Sequence, residues 1–372
     1  MRRILFLGTY LPEIAIAKIE SSSQAANIFQ GNLLNNLSKN NQTTILSYIG
    51  MPIPSDYLDT LKSELHKQKI EAVIANTKIA KIQAVFSYYL KLWRMGKNCD
   101  AILLYNHLHI SFLVNIWGKL LGVKTYLIVA DFDDYQKEEN LLRKFILWLY
   151  TKQLCAYSGL IFLSKTLQNK YSAQKTFLLE GGISWNEFAK ITLNRNNNVK
   201  KVVYAGLINQ VTGIDIFLDM IKQCQRQDVR FIFSGRGELV SAIQALSKLD
   251  ERIEYRGFLS RQEYQQLLSE AHVFINPRNM HLPENANNFP SKILEYLATG
   301  KIIISTKFPN YEKFQNHIKF CESDARSMNK TLELVLNKYQ EEAEIIFDKN
   351  RLKAKEFTWD IQAIKIEEFM FE

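Results

Sequence analysis

The chain has 372 residues, of which 47% are hydrophobic and 23% charged, and its net charge is +9. This length favours two domains over a single core. With no apolar leader after Met1 and no apolar run near the ~18 residues of a membrane span, we expect a cytoplasmic protein that does not cross a membrane. The four cysteines have no zinc-site spacing, so we expect reduced thiols.

The first half of the chain alternates between short apolar strands and helices. We predict strands at 4–7, 43–48, 72–75, 101–105, 125–129, 160–163 and 176–179, with helices over 24–37, 80–97 and 141–154. Continuous apolar strands separated by helices are typical of a parallel sheet that is covered on both faces.

Two of these helices combine aromatic residues with cations. Segment 80–97 reads AKIQAVFSYYLKLWRMGK, and segment 141–154 has a similar blend. Basic helices rich in Trp, Tyr and Leu favour contact with an anionic membrane surface, so we predict peripheral binding to the inner membrane face through 80–97. The alternative is an ordinary helix that covers the sheet with its cations in water. No pattern of a nucleic-acid-binding module is present, so nucleic acid is excluded as a partner.

An asparagine-rich segment, 194–198, is the best linker candidate, and the strand–helix alternation restarts after it. We predict strands at 201–206, 229–234, 253–255, 273–275 and 302–305, with helices at 214–224, 263–271 and 290–300. Two consecutive series of this kind predict an α/β fold of two facing, doubly wound Rossmann-like domains with a cleft between them. Their expected bounds are 1–190 and 200–356.

The segment from Pro290 to Gly300 predicts a helix with a site at its start. Proline suits the first helical position and glycine the helix end. The amides of the first turn lie at the positive end of the helix dipole, which favours a phosphate group. Glu295 lies one turn deeper, where its carboxylate suits ribose hydroxyls better than phosphate. This pattern favours a nucleotide site, although similar helices also occur with purely structural roles.

The second half resembles the C-terminal domain of GT-B glycosyltransferases of the large retaining, GT4-like (group 1) family. The resemblance rests on the strand ending at Gly206, the Gly235–Gly237 turn, the strand leading to Gly257, the segment 271–277, and the helix ending in Ala298-Thr299-Gly300-Lys301. The wording PSKILEYL at 290–297 is similar to members that build bacterial surface polysaccharides. The segment 357–360 resembles the start of a C-terminal helix, about 357–372, that packs back on the first domain.

The resemblance implies a donor site for a nucleotide-diphosphate sugar. Glu295 would hold the ribose hydroxyls, and Ser291 and Lys292 would contact the diphosphate through amides and an ammonium. The other residues implied for donor binding are Asn287, Pro290, Gly206, Asn209, Gly235, Arg236 and Gly8.

The first domain resembles the family less closely. By resemblance, His107 and His109 follow the strand that ends in histidines in relatives, and Asp131 is the second residue of a usual His-Asp pair, whose histidine is replaced by Ala130. These three residues are the candidates to orient the acceptor and to act in catalysis.

Several positions depart from the family pattern in the donor half. The first of two usual glutamates is Asn287, and the usual arginine and lysine after the first strand are Leu207 and Thr212. The loss of both cations removes charge-assisted contacts of about 1.5–3 kcal/mol each. We expect Arg236 or Lys292 to compensate.

The expected function is retaining transfer of a sugar from a nucleotide-diphosphate sugar to a lipid-linked glycan acceptor in bacterial surface-polysaccharide synthesis. No Asp-x-Asp pair is placed to hold a metal at the diphosphate, since 131–134 falls in the first domain, so we expect neither metal nor cofactor. Two alternatives stay open: a non-catalytic binding or assembly subunit, and a nucleotide-sugar epimerase of the same fold.

Overall fold

A computed structural model describes residues 1–16, 18–19, 23–75, 78–130, 138–171, 174–195, 198–287 and 289–372. The chain divides into two compact units, the first comprising Met1–Leu163, Leu167–Leu179 and Trp359–Glu372, and the second Ser164–Thr166 and Glu180–Thr358. The division at Leu179 and Glu180 lies earlier than the expected 190–200 boundary. The reason is that Ile183, Phe188 and Ile191 are buried in the core of the second unit.

The described part of the first unit is built on a parallel sheet of seven strands. The strands are β1 (Arg3–Gly8), β2 (Gln42–Ile49), β3 (Ile70–Ile74), β4 (Ala101–Tyr105), β5 (Lys124–Val129), β6 (Gly159–Phe162) and β7 (Thr176–Leu178). The helices are α1 (Glu13–Ile16), α2 (Gln24–Asn40), α3 (Leu58–Lys67), α4 (Lys78–Gly96), α5 (Val114–Leu121), α6 (Leu141–Gln153) and α7 (Lys165–Lys170). The strand order is β3-β2-β1-β4-β5-β6-β7.

The described part of the second unit repeats this plan with a parallel sheet of six strands. The strands are β8 (Lys200–Leu207), β9 (Val229–Arg236), β10 (Ile253–Tyr255), β11 (Val273–Asn276), β12 (Ile302–Thr306) and β13 (Lys319–Cys321). The helices are α8 (Ile214–Gln223), α9 (Val240–Ser247), α10 (Arg261–Glu270), α11 (Lys292–Thr299), α12 (Ala325–Asn337) and α13 (Tyr339–Lys355). The strand order is β10-β9-β8-β11-β12-β13.

Both sheets are buried on their two faces. In the second unit, Val202 and Phe231 belong to one apolar cluster, and the next residues along each strand, Val203 and Ile232, belong to another. Alternate side chains of a strand point to opposite faces, so each face has its own core. The prediction of parallel, doubly covered sheets is confirmed.

The last helix, α14 (Trp359–Phe371), belongs to the first unit. Trp359, Ala363, Ile366 and Met370 are buried in the cluster that also contains residues of β1, β4 and α2. The ring of Trp359 meets that of Phe29 on α2 edge-on, with centroids 5.0 Å apart. Among the described residues, no helix has both the length and the apolarity that a membrane span needs.

Candidate functional site

The helix α11 begins two residues later than the sequence predicts. Ser291 is its N-cap and already has helical angles, φ −52° and ψ −28°. Pro290 instead accepts the first bond of the turn, from the amide of Ile293 at 2.9 Å. The amide of Leu294 donates to the carbonyl of Ser291 at 3.1 Å. The predicted contact with an anion therefore rests on the amides of Ser291 and Lys292.

A buried tyrosine fixes α11 against the central strand of its sheet. The hydroxyl of Tyr296 donates to the carbonyl of Ala205 at 3.2 Å and accepts from the amide of the same residue at 3.3 Å. Its ring stacks on Phe274 of β11, with centroids 4.2 Å apart. These contacts position the outward residues of the helix, Lys292 and Glu295, beside the carboxyl end of β8.

Glu295 is held by a tyrosine that the sequence analysis did not identify. The hydroxyl of Tyr264, on α10, donates to Oε2 of Glu295 at 2.6 Å. The ammonium of Lys292 donates to the Tyr264 hydroxyl at 3.3 Å and lies 4.7 Å from the centroid of its ring. It is also 3.9 Å from Oε2 of Glu295. The three side chains therefore form one cluster, in which the tyrosine hydroxyl contacts both charged groups.

The electrostatics of this cluster keep Tyr264 protonated. Burial, and next the negative charge of Glu295, raise the pKa of Tyr264 well above its ordinary value. Burial raises the pKa of a second carboxylate, Glu187; the positive charge of Arg261 opposes this effect and the negative charge of Glu295 adds to it. Glu187 is paired with Arg261, at the start of α10. Tyr264 is therefore a permanent donor that orients the Glu295 carboxylate.

The carboxyl ends of β8 and β9, each with a glycine next to the last residue, are the part of the sheet nearest this cluster. Their register pairs Gly206 with Gly235, and Leu207 with Arg236. A side chain at Gly206 would have its Cβ 3.6 Å from Cε of Lys292, so the lysine stem passes directly over the strand end. Arg236 is exposed, and its guanidinium lies 4.7 Å from the ring centroid of Phe258.

Gly235 is required by the close approach of the two strands. Its φ is +137°, and an added Cβ would lie 1.8 Å from the carbonyl oxygen of Gly206. We expect Gly235→Ala to destabilise the protein by about 3 kcal/mol or more, because both backbone strain and a steric clash would result. Gly257 is the matched control, with φ +70° and nothing within 4 Å of an added Cβ. Gly257→Ala should cost only about 1–2 kcal/mol. Urea unfolding of the two variants measures both effects, and equal losses would contradict the steric argument.

The loop after β8 is held by its own polar side chains. Oδ1 of Asn209 accepts from the amide of Thr212 at 2.9 Å, and the Thr212 hydroxyl donates to the carbonyl of Leu207 at 2.7 Å. Asn209 thus has a structural role in this loop through its side-chain oxygen. Its implied contact with the nucleotide-sugar donor stays a prediction. Leu207 is 55% exposed, so the position of the usual arginine is an apolar surface residue here.

The residues implied before α11 lie on a short turn. Asn287 ends a 3₁₀ turn, Pro283–Asn287, that precedes the helix. Pro290 is buried and Ser291 is exposed. The Ser291 side chain makes no capping hydrogen bond to the helix it precedes.

In the first unit, the site residues that the family resemblance implies lie at or just after the carboxyl ends of strands β1 and β4. Gly8 ends β1 beside Gln30, whose Oε1 accepts from the amide of Thr9 at 3.1 Å. Nδ1 of His109 is 2.9 Å from the hydroxyl of Tyr150. Burial lowers the pKa of His107 to about 4, so its imidazole is neutral at physiological pH. Neither nitrogen of that ring has a hydrogen-bond partner within the described part of the chain.

Asp131, the remaining catalytic candidate, lies outside the described residues, and so does the rest of segment 131–134. Over the ranges that the structure describes, no three His, Cys, Asp or Glu side chains come together as a potential metal site. The structure thus gathers Glu295, Lys292 and Gly206 around Tyr264, and places Gly8, His107 and His109 in the other unit.

Comparison with known proteins finds a family profile that matches the second unit and a curated relative that matches a longer part of the chain. Residues 199–338 match a family profile described as "Glycosyl transferases group 1". A curated human protein, named as one subunit of a phosphatidylinositol N-acetylglucosaminyltransferase, is 23% identical over 246 residues, which is 61% of this chain and 49% of the human protein. The chain therefore spans about half the length of this curated relative.

Solved structures match the whole chain. Anabaena Alr3699/HepE, in complex with UDP, has a TM-score of 0.72 at 13% identity, with 98% of each chain covered. Sucrose-phosphate synthase from Thermosynechococcus elongatus has a TM-score of 0.71 at 13% identity, covering 99% of this chain and 98% of the other. At these identities the matches establish the fold, which is the predicted GT-B arrangement of two parallel, doubly wound sheets.

Proposed function

We propose that this chain is a transferase that moves a sugar from a nucleotide-diphosphate sugar to an acceptor hydroxyl. Two findings support the proposal: residues 199–338 match the group 1 glycosyltransferase profile, and the chain has the GT-B fold. The observation that carries the donor assignment is the cluster of Glu295, Tyr264 and Lys292 beside Gly206. It presents a carboxylate for two adjacent ribose hydroxyls and a cation for the diphosphate. The neighbour HepE was solved with UDP, which supports a nucleotide at this kind of fold.

The proposed mechanism is electrostatic. When the bond to the anomeric carbon breaks, negative charge grows on the leaving diphosphate, and fixed positive groups lower the barrier most at that point. The ammonium of Lys292 and the amides of Ser291 and Lys292 supply such groups from the chain itself, and we propose that no metal or cofactor is needed. Arg236, paired across from Leu207 in the sheet, adds a second cation at the same edge. We further propose retention at the anomeric carbon, with the leaving phosphate taking the acceptor proton.

We propose a lipid-linked glycan as the acceptor, at the inner face of a bacterial membrane during surface-polysaccharide synthesis. Three features support this. The wording of 290–297 is similar to surface-polysaccharide enzymes, the curated human relative carries phosphatidylinositol in its name, and α4 exposes both aromatic and basic side chains. His109 and neutral His107, with Asp131, are proposed to orient the acceptor hydroxyl.

A donor and acceptor screen tests this function. Purified protein is offered UDP-, GDP-, ADP- and TDP-sugars in a thermal-shift panel, and the donor that binds is then incubated with and without a lipid-linked acceptor. We expect transfer only with the acceptor. Conversion of the sugar without an acceptor would instead establish the epimerase alternative.

The human relative is named as part of a larger enzyme, which favours a second candidate: a binding or assembly component of the same fold without catalysis. In that case the donor would bind, no transfer would occur under any acceptor condition, and Glu295→Ala would leave the cellular function intact. Complementation of a deletion strain by Glu295→Ala decides between the two.

A substitution at Tyr264 tests how much the orientation of the Glu295 carboxylate matters, because it leaves the charge of that carboxylate unchanged. Tyr264→Phe removes the hydroxyl and keeps the ring, so Glu295 and Lys292 lose their shared hydrogen-bond partner. We expect KM for the donor to rise about 5- to 10-fold, equivalent to one hydrogen bond of about 1 kcal/mol or slightly more, with little change in kcat. Steady-state kinetics measures the change in KM. Tyr339→Phe is the control, because it removes a hydroxyl that donates to the carbonyl of Asn194 at 3.3 Å, and neither residue is among those proposed to bind the donor. Equal effects of the two changes would count against a specific role for Tyr264.

A further inference from the structure

Two helices of the first unit, α4 and α5, have apolar residues on their exposed faces as well as on the faces that are buried against the sheet. On α4, Tyr88 and Leu92 are buried in the core, whereas Ile82 is 78% and Phe86 77% exposed. Beside α5, the exposed apolar residues are Leu113, Ile116 and Leu120. Exposed apolar side chains that lie side by side are candidates for a binding surface.

Three of these exposed residues, Ile82, Phe86 and Leu113, border a hollow of about 520 Å³ between the two helices. Its walls are Ile82, Val85, Phe86 and Tyr89 from α4, and Leu113 and Trp117 from the α5 side. We call it the α4–α5 groove. It is an open surface groove and not an enclosed cavity. Apart from Lys81, every residue that lines it is apolar or aromatic.

The groove opens at the edge of the sheet where the acceptor residues are expected. Lys81 is in the first turn of α4, and a helix that follows a parallel strand begins at the carboxyl edge of the sheet. The loop after β4, with His107 and His109, leaves the same edge and leads into Leu113. Tyr89 joins the two, because its hydroxyl donates to the carbonyl of Ile110 at 2.6 Å and accepts from the amide of Leu113 at 2.9 Å.

The charged side chains carried by the helices of this region are all positive. The sequences of α4, α5 and α6 contain eight lysines and arginines and no aspartate or glutamate. Lys91 and Arg94 are paired with Glu71, which lies on β3. Lys81, at the open end, is exposed and has no ion-pair partner in the ranges that the structure describes. A ligand with an apolar body and an anionic end is complementary to this arrangement.

We propose that the α4–α5 groove holds the hydrocarbon chain of a single lipid phosphate or diphosphate acceptor, with its anionic end at Lys81 and at the loop of His107 and His109. This proposal rests on the proposed function, because the lipid is an acceptor only if the protein transfers a sugar. A chain held in this way would bring the sugar of a lipid-linked glycan to the carboxyl edge, where transfer is proposed.

The test uses the full chain and farnesyl diphosphate below its critical micelle concentration, so that no bilayer or micelle is present. Titration calorimetry should show saturable binding. Val85→Trp fills the groove at a surface position and should weaken that binding at least about 10-fold, and Lys81→Glu should weaken it by a similar factor. Ile345→Trp is the matched control, because Ile345 is 72% exposed on α13 in the other unit, and it should bind as the unchanged protein does.

Two outcomes would overturn the proposal. One is the absence of farnesyl diphosphate binding when vesicles of phosphatidylcholine with phosphatidylglycerol still bind the protein, which would indicate a membrane-surface contact only. The other is equal affinity in Val85→Trp and Ile345→Trp. Donor binding and transfer to a lipid-free acceptor are measured in parallel. If these persist without lipid binding, the groove assignment alone fails, whereas loss of donor binding in the unchanged protein would contradict the proposed function.

Discussion

Glu295→Gln should lower kcat/KM for the nucleotide-sugar donor by about 10- to 100-fold. The substitution keeps the shape of the side chain and removes the charge, so hydrogen bonds from ribose hydroxyls lose their ionised acceptor. Hydrogen bonds to charged groups contribute about 1.5–3 kcal/mol, and each 1.4 kcal/mol corresponds to a factor of about 10. The glutamine amide would also face the Tyr264 hydroxyl, which now donates to Oε2 at 2.6 Å. Initial rates over a range of donor concentrations give the value.

The control for this experiment is Glu251→Gln, an exposed glutamate in a turn of the same unit. Its kcat/KM should equal that of the unchanged protein, and both variants should unfold at the same urea concentration as the parent. A Glu295→Gln protein that is fully folded and binds the nucleotide with unchanged affinity would exclude Glu295 as the ribose contact.

Lys292→Met should weaken nucleoside-diphosphate binding by about 10- to 100-fold and leave binding of the nucleoside alone almost unchanged. The reason is that the phosphates are the only part of the ligand that the ammonium contacts in the proposed complex, and one charge-assisted contact is worth about 1.5–3 kcal/mol. The comparison of UDP with uridine, or of the matching pair for whichever base binds, isolates the contribution of the diphosphate. Raising the salt concentration should reduce the difference between the variant and the parent.

Two further variants sharpen the Lys292 result. Lys248→Met, at an exposed lysine after α9, should have no effect on either ligand. Leu207→Arg introduces the cation that the family resemblance implies at the end of β8, opposite Arg236 in the sheet register. Added to Lys292→Met, it should recover part of the lost diphosphate affinity. Equal losses for nucleoside and nucleoside diphosphate in Lys292→Met would show that the lysine acts on the whole site through Tyr264 and not on the phosphates.

Most of the fold was predictable because each strand is a short apolar run between helical segments. Ile302–Thr306 and Ala101–Tyr105 are examples, both buried along their whole length. The strand β13 was not predicted, since three residues, Lys319–Cys321, are too short for a periodic signal. The helix α12 was also missed, although Met328, Leu332, Val335 and Leu336 are buried at helical spacing and could have revealed it.

The candidate site was predictable only as far as local sequence determines it. Glu295 and Lys292 lie on one helix, so their proximity follows from spacing. Tyr264 is on a separate helix, and its contact with both residues depends on how α10 and α11 pack together, which no local pattern encodes. The prediction that the helix begins at Pro290 was wrong by two residues. The helix begins at Lys292, and Ser291 is its N-cap although its backbone angles are already helical. Roles for the individual site residues stay predictions.

The placement of α14 has a consequence for biosynthesis. The first unit needs Trp359, Ile366 and Met370 to fill its core, and these residues leave the ribosome only after residues 180–358 of the second unit have been made. In many proteins the N-terminal domain completes its folding first during synthesis, but the first unit of this protein cannot do so. Residues 180–358 are inserted between two segments of the first unit and can fold first. Until α14 has been made, the apolar residues of β1 and α2 that it covers stay exposed. Truncation after residue 358 should consequently cause aggregation of nascent chains even though the second unit is intact.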